Sequence, residues 1–137
     1  MKVVSEAIFN KFNEQDQGSR HPLYNLVSGK LYKERAPQDA TLPYVVYHII
    51  SVVPDWTFNT DFEKIRIQFD LFSKTNDSTQ VENMYTYLQE LYDWRSLVVA
   101  GYDHVWMRRE LARLVRDPED DVWQYTVDYE VFIEEQN

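Results

Sequence analysis

The sequence predicts an α+β fold in which helices pack on one face of a mostly antiparallel β-sheet. Segments 62–72 and 122–134 alternate apolar and polar residues, which is typical of half-buried strands. Segment 78–92 instead places its apolar residues at helical spacing, which predicts a helix that covers the sheet. A chain of 137 residues has the usual length for one hydrophobic core, so we expect a single domain over residues 1–137.

Charge and composition restrict the possible classes of function. The chain has 14 Lys and Arg against 23 Asp and Glu, a formal charge of −9, so most faces of the monomer would repel a phosphate backbone. Cysteine is absent, which excludes disulfides and thiolate metal sites. No run is long and apolar enough to be a signal peptide or a membrane span, so we expect no membrane association.

The first part of the chain alternates between regular segments and loops. Apolar residues at helical spacing predict a short helix over 4–13, and the polar segment 14–19 predicts a loop. Residues 30–33 predict a brief strand, followed by a loop with two prolines over 35–43. Residues 44–53 are β-branched and aromatic on both faces, so we expect this strand to lie inside a sheet or under a partner.

A strand and a helix follow. Segment 62–72 is the clearest alternating strand in the sequence. Asp77 and Gln80 have the spacing of a capping box, which predicts the start of the helix over 78–92.

The last part of the chain predicts an antiparallel hairpin. Segment 104–116 is ambiguous, because its apolar residues fit a helix and also fit a strand face broken by Arg109 and Arg113. The acidic segment 117–121 reads as a turn, and pairing 104–116 with 122–134 gives two strands of matched length. We therefore predict a strand over 104–116.

Asp55, Trp56 and Phe58 are candidate interface residues at the turn between the strands 44–53 and 62–72. The second of these strands would extend roughly 35 Å at ~3.3 Å per residue, whereas a domain of this size has a radius of gyration of about 14 Å. Either the sheet is strongly twisted or this turn projects. The two aromatic side chains either fold back as a small core or anchor an interface.

Arg108, Arg109, Arg113 and Arg116 are a second set of candidate interface residues, because they concentrate positive charge in an acidic chain. One interpretation is a solvated strand face with cross-strand partners such as Glu130. The other is a basic patch that meets an acidic patch on a neighbouring copy.

No enzymatic signature is present. The sequence has no Gly-rich phosphate loop, nucleophile elbow or paired histidines on a helix, and it has no cysteine cluster. His48 lies in an apolar strand, where a structural role is favoured, and the acidic residues of 117–121 lack the Gly and the distal Glu of a Ca²⁺ loop. We expect a non-enzymatic protein with no cofactor and no metal.

The order of these elements resembles the tail-completion proteins of long-tailed bacteriophages, also called tail terminators or tail-to-head joining proteins. The resemblance extends over nearly the whole chain. Its most specific parts are Pro-Tyr-Val-Val-Tyr at 43–47, Phe-Asp-Leu-Phe-Ser-Lys at 69–74 before the covering helix, and Tyr-Glu-Val-Phe at 129–132. The aromatic turn at Trp56 and Phe58 and the Arg-rich strand depart from the family pattern.

The resemblance implies a structural virion protein that assembles into a homo-oligomeric, hexameric ring. Such a ring would cap the tail tube, stop its growth and join it to the head connector, while DNA passes through without specific binding. It would lie at the head-proximal end of the tail in the virion and in the host cytoplasm during assembly. The alternatives are a head-completion or tail-tube protein, or a small-ligand domain whose pocket lies between helix 78–92 and the sheet.

Overall fold

The computed structural model describes residues 1–56 and 61–136, except for the side chains of Trp56 and His104. Phe58, one of the predicted interface residues, lies outside the described residues. The elements in chain order are α1 (Lys2–Asn13), β1 (Gln15–Asp16), β2 (Ser19–Arg20), α2 (Pro22–Val27), β3 (Leu31–Lys33), β4 (Tyr44–Trp56), β5 (Asp61–Ser73), α3 (Thr79–Tyr92), β6 (Tyr102–Asp117) and β7 (Val122–Glu135). None of the described helices is long and apolar enough to cross a bilayer.

A five-stranded sheet in the order β3-β4-β5-β7-β6 is the centre of the fold. Its strands are antiparallel except β3, which pairs in parallel with β4, so the sheet is mixed. The predicted α+β class is confirmed. The ambiguous segment 104–116 is strand, because it pairs with β7 along nearly its whole length.

The hydrophobic core lies between the helices and one face of this sheet. In β5 the side chains of Ile65, Ile67, Phe69 and Leu71 are fully buried, while those between them are partly exposed. Two tyrosine hydroxyls tie the sheet and α3 to the first helix: Tyr47 Oη donates to Ser5 O (3.1 Å) and Tyr92 Oη donates to Ile8 O (2.9 Å). We call the face without helices the outer face.

Helix α3 begins differently from the prediction. Its first turn does not form a capping box, because Gln80 Oε1 accepts a hydrogen bond from the buried Ser73 hydroxyl (2.6 Å). Asp77 Oδ1 instead accepts from Thr79 N (3.0 Å), and this backbone hydrogen bond lowers the pKa of Asp77. The side chain of Gln80 thus joins α3 to the end of β5.

Two small elements were missed in the sequence. Segment 14–19, predicted as a loop, contains most of the short hairpin β1–β2. Helix α2 begins at Pro22, and the ring of His21 caps it by accepting from Leu23 N at Nδ1 (3.1 Å). The helix spans only residues 22–27, too few for its periodicity to stand out.

Candidate interaction surface

Two strand edges of the sheet have no partner strand. β3 pairs only with residues 45–47 of β4, so within the described residues 48–56 of β4 form a free edge. At the other side of the sheet, no described strand pairs with the outer edge of β6, where Trp94 N donates to Met107 O (2.7 Å). We call residues 48–56 the β4 edge and residues 108–117 the β6 edge. A free edge presents unpaired backbone donors and acceptors, which is the usual starting point for strand addition.

Exposed apolar side chains concentrate on these two edges. Of nine large apolar side chains that are exposed among the described residues, six lie on β4 and β6. They are Ile50, Val52 and Val53 on the β4 edge, and Leu111, Leu114 and Val115 on the β6 edge. The most exposed of the six is Leu111, at 61%. Among the described residues, strand 44–53 thus has a strand on both sides only at 45–47, and the alternative that a partner covers the rest stays a prediction.

Each edge has a bulge that changes which face its side chains point to. The register of β4 shifts between Ile49 and Ser51, which leaves Ile50 as the extra residue. The register of β6 shifts between Arg109 and Leu111, which leaves Glu110 as the extra residue. Beyond the two bulges the strands continue as 51–56 and 111–117.

The four candidate arginines lie on two faces of β6, and the bulge determines which of them share a face. Arg108 and Arg113 lie opposite Glu130 and Thr126 and point to the outer face. Arg109 and Arg116 share the helix side with Met107, which is fully buried. The arginines therefore do not form one patch, as the sequence suggested they could, and each has a different environment.

Arg109 holds the last part of α3 against the sheet. Its guanidinium donates to Tyr85 Oη and forms an ion pair with Asp93 (Nη2 to Oδ2, 3.2 Å). Asp93 also accepts a hydrogen bond from Tyr129 Oη. Burial and this hydrogen bond raise the pKa of Tyr129, so its hydroxyl stays protonated and continues to donate. Arg109 is thus a structural residue of the monomer.

Arg108 and Arg116 also have partners within the chain. Arg108 pairs with Glu110 (2.5 Å) and with Glu130 across the strand (3.3 Å), which is the cross-strand contact that the sequence predicted. Arg116 pairs with Asp121 in the hairpin turn (2.5 Å). Arg113 differs from them: it is exposed and has no hydrogen-bond or ion-pair partner among the described residues.

Asp55 and Trp56 lie at the end of the β4 edge. Asp55 is exposed, faces Phe62 across the hairpin and forms an ion pair with Lys64 (3.5 Å). The backbone of Trp56 pairs with Asp61, and β5 at this point is flanked by β4 on one side and β7 on the other. The sheet therefore extends to Phe62 as three strands.

An aromatic row crosses the outer face near the same end of the sheet. The rings of Phe62 and Phe132 stack with centroids 5.0 Å apart, and those of Phe132 and Trp106 stack at 5.3 Å. Trp94, which is 70% exposed, extends the row from the loop after α3, 6.0 Å from Trp106. Sequence reasoning missed this row, because its members come from four separate segments with no shared periodicity.

Side chains of α3 pack against the sheet at the place where the alternative small-ligand pocket would lie. Val81, Met84 and Leu88 are fully buried there. An open cleft of about 600 Å³ lies elsewhere, beyond the end of α3, and is lined by Lys11, Arg20, Glu90 and other residues of both charges. In the part of the chain that the structure describes, no three His, Asp or Glu side chains are grouped so that they could hold a metal ion.

Comparisons with known proteins identify the family. The sequence matches the profile of the tail completion protein gp17 family over residues 21–134. A solved chain from the virion of a native gene transfer agent (GTA) particle has the same fold, with a TM-score of 0.81, 12% identity and alignment over 96% of this chain and 94% of that chain. Curated proteins gave no match. Because the family profile covers most of the sequence, the chain belongs to the tail completion protein gp17 family, whose members are structural proteins of phage tails.

Proposed function

We propose that this protein is a tail terminator, which forms a hexameric ring on the finished tail tube and joins the tube to the head connector. Membership of the tail completion family is the observation that carries the proposal. The protein would lie at the head-proximal end of the tail in the virion, and in the host cytoplasm before assembly.

The described surface supports a role in assembly rather than in catalysis. Exposed apolar side chains usually mark interaction sites when they are contiguous, and here they gather on the two strand edges. Beneath α3, where the alternative small-ligand pocket was considered, Val81, Met84 and Leu88 are fully buried in the core. The tail tube, the head connector and other copies of this chain are the partners that such a ring would contact.

The acidic character of the chain fits a ring through which DNA passes. With a formal charge of −9 in each copy, a closed ring has a strongly negative surface. Phosphates would be repelled from its lining and would not be held there. We therefore propose that DNA moves through the ring without specific binding.

Electron microscopy of particles made without this protein tests the proposed function. A tail terminator predicts tails of irregular, excessive length that fail to join heads, and the wild-type gene supplied in trans restores tails of normal length. A head-completion protein would leave tails of normal length, and a tail-tube protein would leave no tails. Either of these two results would contradict the proposal.

A further inference from the structure

We propose that neighbouring copies of this chain join by strand addition, with the β6 edge of one copy pairing antiparallel with the β4 edge of the next. The five-stranded sheet would then continue from copy to copy around the ring. This inference rests on the proposed ring assembly and names the surface that builds it.

The backbone of the two edges provides the first argument. In the described residues, neither 48–56 of β4 nor 108–117 of β6 has a partner strand on its outer side. Beyond the bulges, the remaining segments 51–56 and 111–117 are of nearly equal length. Pro54 lacks an N–H group, so a ladder along the β4 edge would lose at most one donor.

The direction of the strands provides the second argument. Adjacent strands in the series β4, β5, β7, β6 are all antiparallel, so β4 and β6 run in opposite directions. Copies placed side by side in the same orientation therefore bring β6 of one copy antiparallel to β4 of the next. Because the two edges differ, the contact is heterologous, and repetition of a heterologous contact produces a ring when the rotation closes.

Side-chain chemistry provides the third argument. The β6 edge, residues 108–117, contains four arginines, one glutamate and one aspartate, a formal charge of +2 in a chain whose total is −9. The β4 edge, residues 48–56, contains one acidic residue, Asp55, and neither Lys nor Arg, a formal charge of −1. Both segments expose apolar side chains, so pairing would bury apolar surface and bring opposite charges together.

Arg113 is the arginine that such a contact would use. The other three arginines already have acidic partners within the chain, whereas Arg113 has none among the described residues. It lies beyond the bulge, in the part of β6 that would pair, and it is exposed. On the β4 edge the exposed acidic residue is Asp55, which pairs with the exposed Lys64 (3.5 Å) and would share its carboxylate with Arg113 of the neighbouring copy.

Cysteine cross-linking tests the contact directly, because the natural chain has no cysteine. The double variant Val53→Cys with Val115→Cys, whose side chains both lie on the outer face, is treated with a short bis-maleimide, both as concentrated purified protein and in assembled tails. We expect a denaturing gel to show a ladder of covalent multimers. The matched control combines Val53→Cys with Asn83→Cys on the exposed side of α3 and should show no ladder.

Two negative results have different meanings. If light scattering or microscopy shows rings but the double variant gives no more cross-linking than the control, strand addition at these edges is wrong while the ring itself stands. If the protein is monomeric at all concentrations and is absent from tails, both the edge contact and the proposed function are wrong.

Discussion

Replacement of Arg109 by methionine should destabilise the monomer, whereas the same change at Arg113 should not. Arg109 contacts Tyr85 and Asp93, and its side chain and that of Asp93 are 33% and 23% exposed. Met keeps most of the length of the side chain but removes both polar contacts. Asp93 keeps its hydrogen bond from Tyr129, so the carboxylate does not lose all its partners.

The expected loss follows from these contacts. A charge-assisted hydrogen bond and a partly solvated ion pair together contribute about 1–2 kcal/mol to the free energy of unfolding. For a chain of this length, that loss lowers the melting temperature by roughly 3–8 °C. Arg113→Met is the matched control, because it makes the same chemical change in the same strand at a residue without a described partner. Its free energy of unfolding should stay within about 0.5 kcal/mol of that of the wild type.

Urea denaturation followed by circular dichroism, at a concentration where light scattering shows monomers, measures both variants. Equal midpoints for the two variants would refute the argument that Arg109 is structural. If Arg113→Met lowered the free energy of unfolding more than Arg109→Met does, Arg113 and not Arg109 would be the structural residue of the monomer.

The remaining predictions concern assembly, pH and the core. Arg113→Glu should raise the Kd of self-association at least tenfold, or about 1.4 kcal/mol, as measured by sedimentation analysis. The melting temperature of the monomer should not fall. Unchanged self-association would show that Arg113 is not in the interface. Burial lowers the pKa of His21 in the folded protein; the charge of Glu90 opposes this change, and those of Lys11 and Arg95 add to it. In the unfolded chain the pKa of His21 is about 6.5, so below that pH the unfolded chain binds a proton more readily than the folded chain does. The free energy of unfolding should therefore fall as pH decreases from 7.5 to 5.5, and His21→Asn, which can still cap α2, should show a smaller fall in urea titrations at each pH. Met84→Ala should cost about 2–5 kcal/mol in the same titrations, because Met84 is fully buried; a loss below 1 kcal/mol would contradict the packing of α3.

The sequence was sufficient to predict the architecture. Apolar and polar residues alternate over 62–72 and 122–134, and in the fold buried and partly exposed side chains alternate in the same way. The reason is that one face of each strand packs against the helices. The acidic turn at 117–121 favoured strand over helix for segment 104–116, because a hairpin of matched length requires a strand before the turn.

Apart from Glu130, which was named as a cross-strand partner, the partners of the arginines could not be predicted in the same way. One extra residue, Glu110, reverses the face of every side chain after it, and a bulge has no reliable pattern in the sequence. Nor does the sequence show that β3 pairs with only three residues of β4, because strand ends depend on contacts between distant segments. The apolar character of 44–53 on both faces predicted a strand inside a sheet or under a partner, and β3 flanks this strand only at residues 45–47.

Cryo-electron microscopy of complete tails assembled with this protein is the most direct test of its role. The account predicts a single closed ring of this chain at the head-proximal end of the tube, with the sheets of neighbouring copies joined at β4 and β6. Density for the chain repeated along the tube, or its absence from that end, would contradict the account.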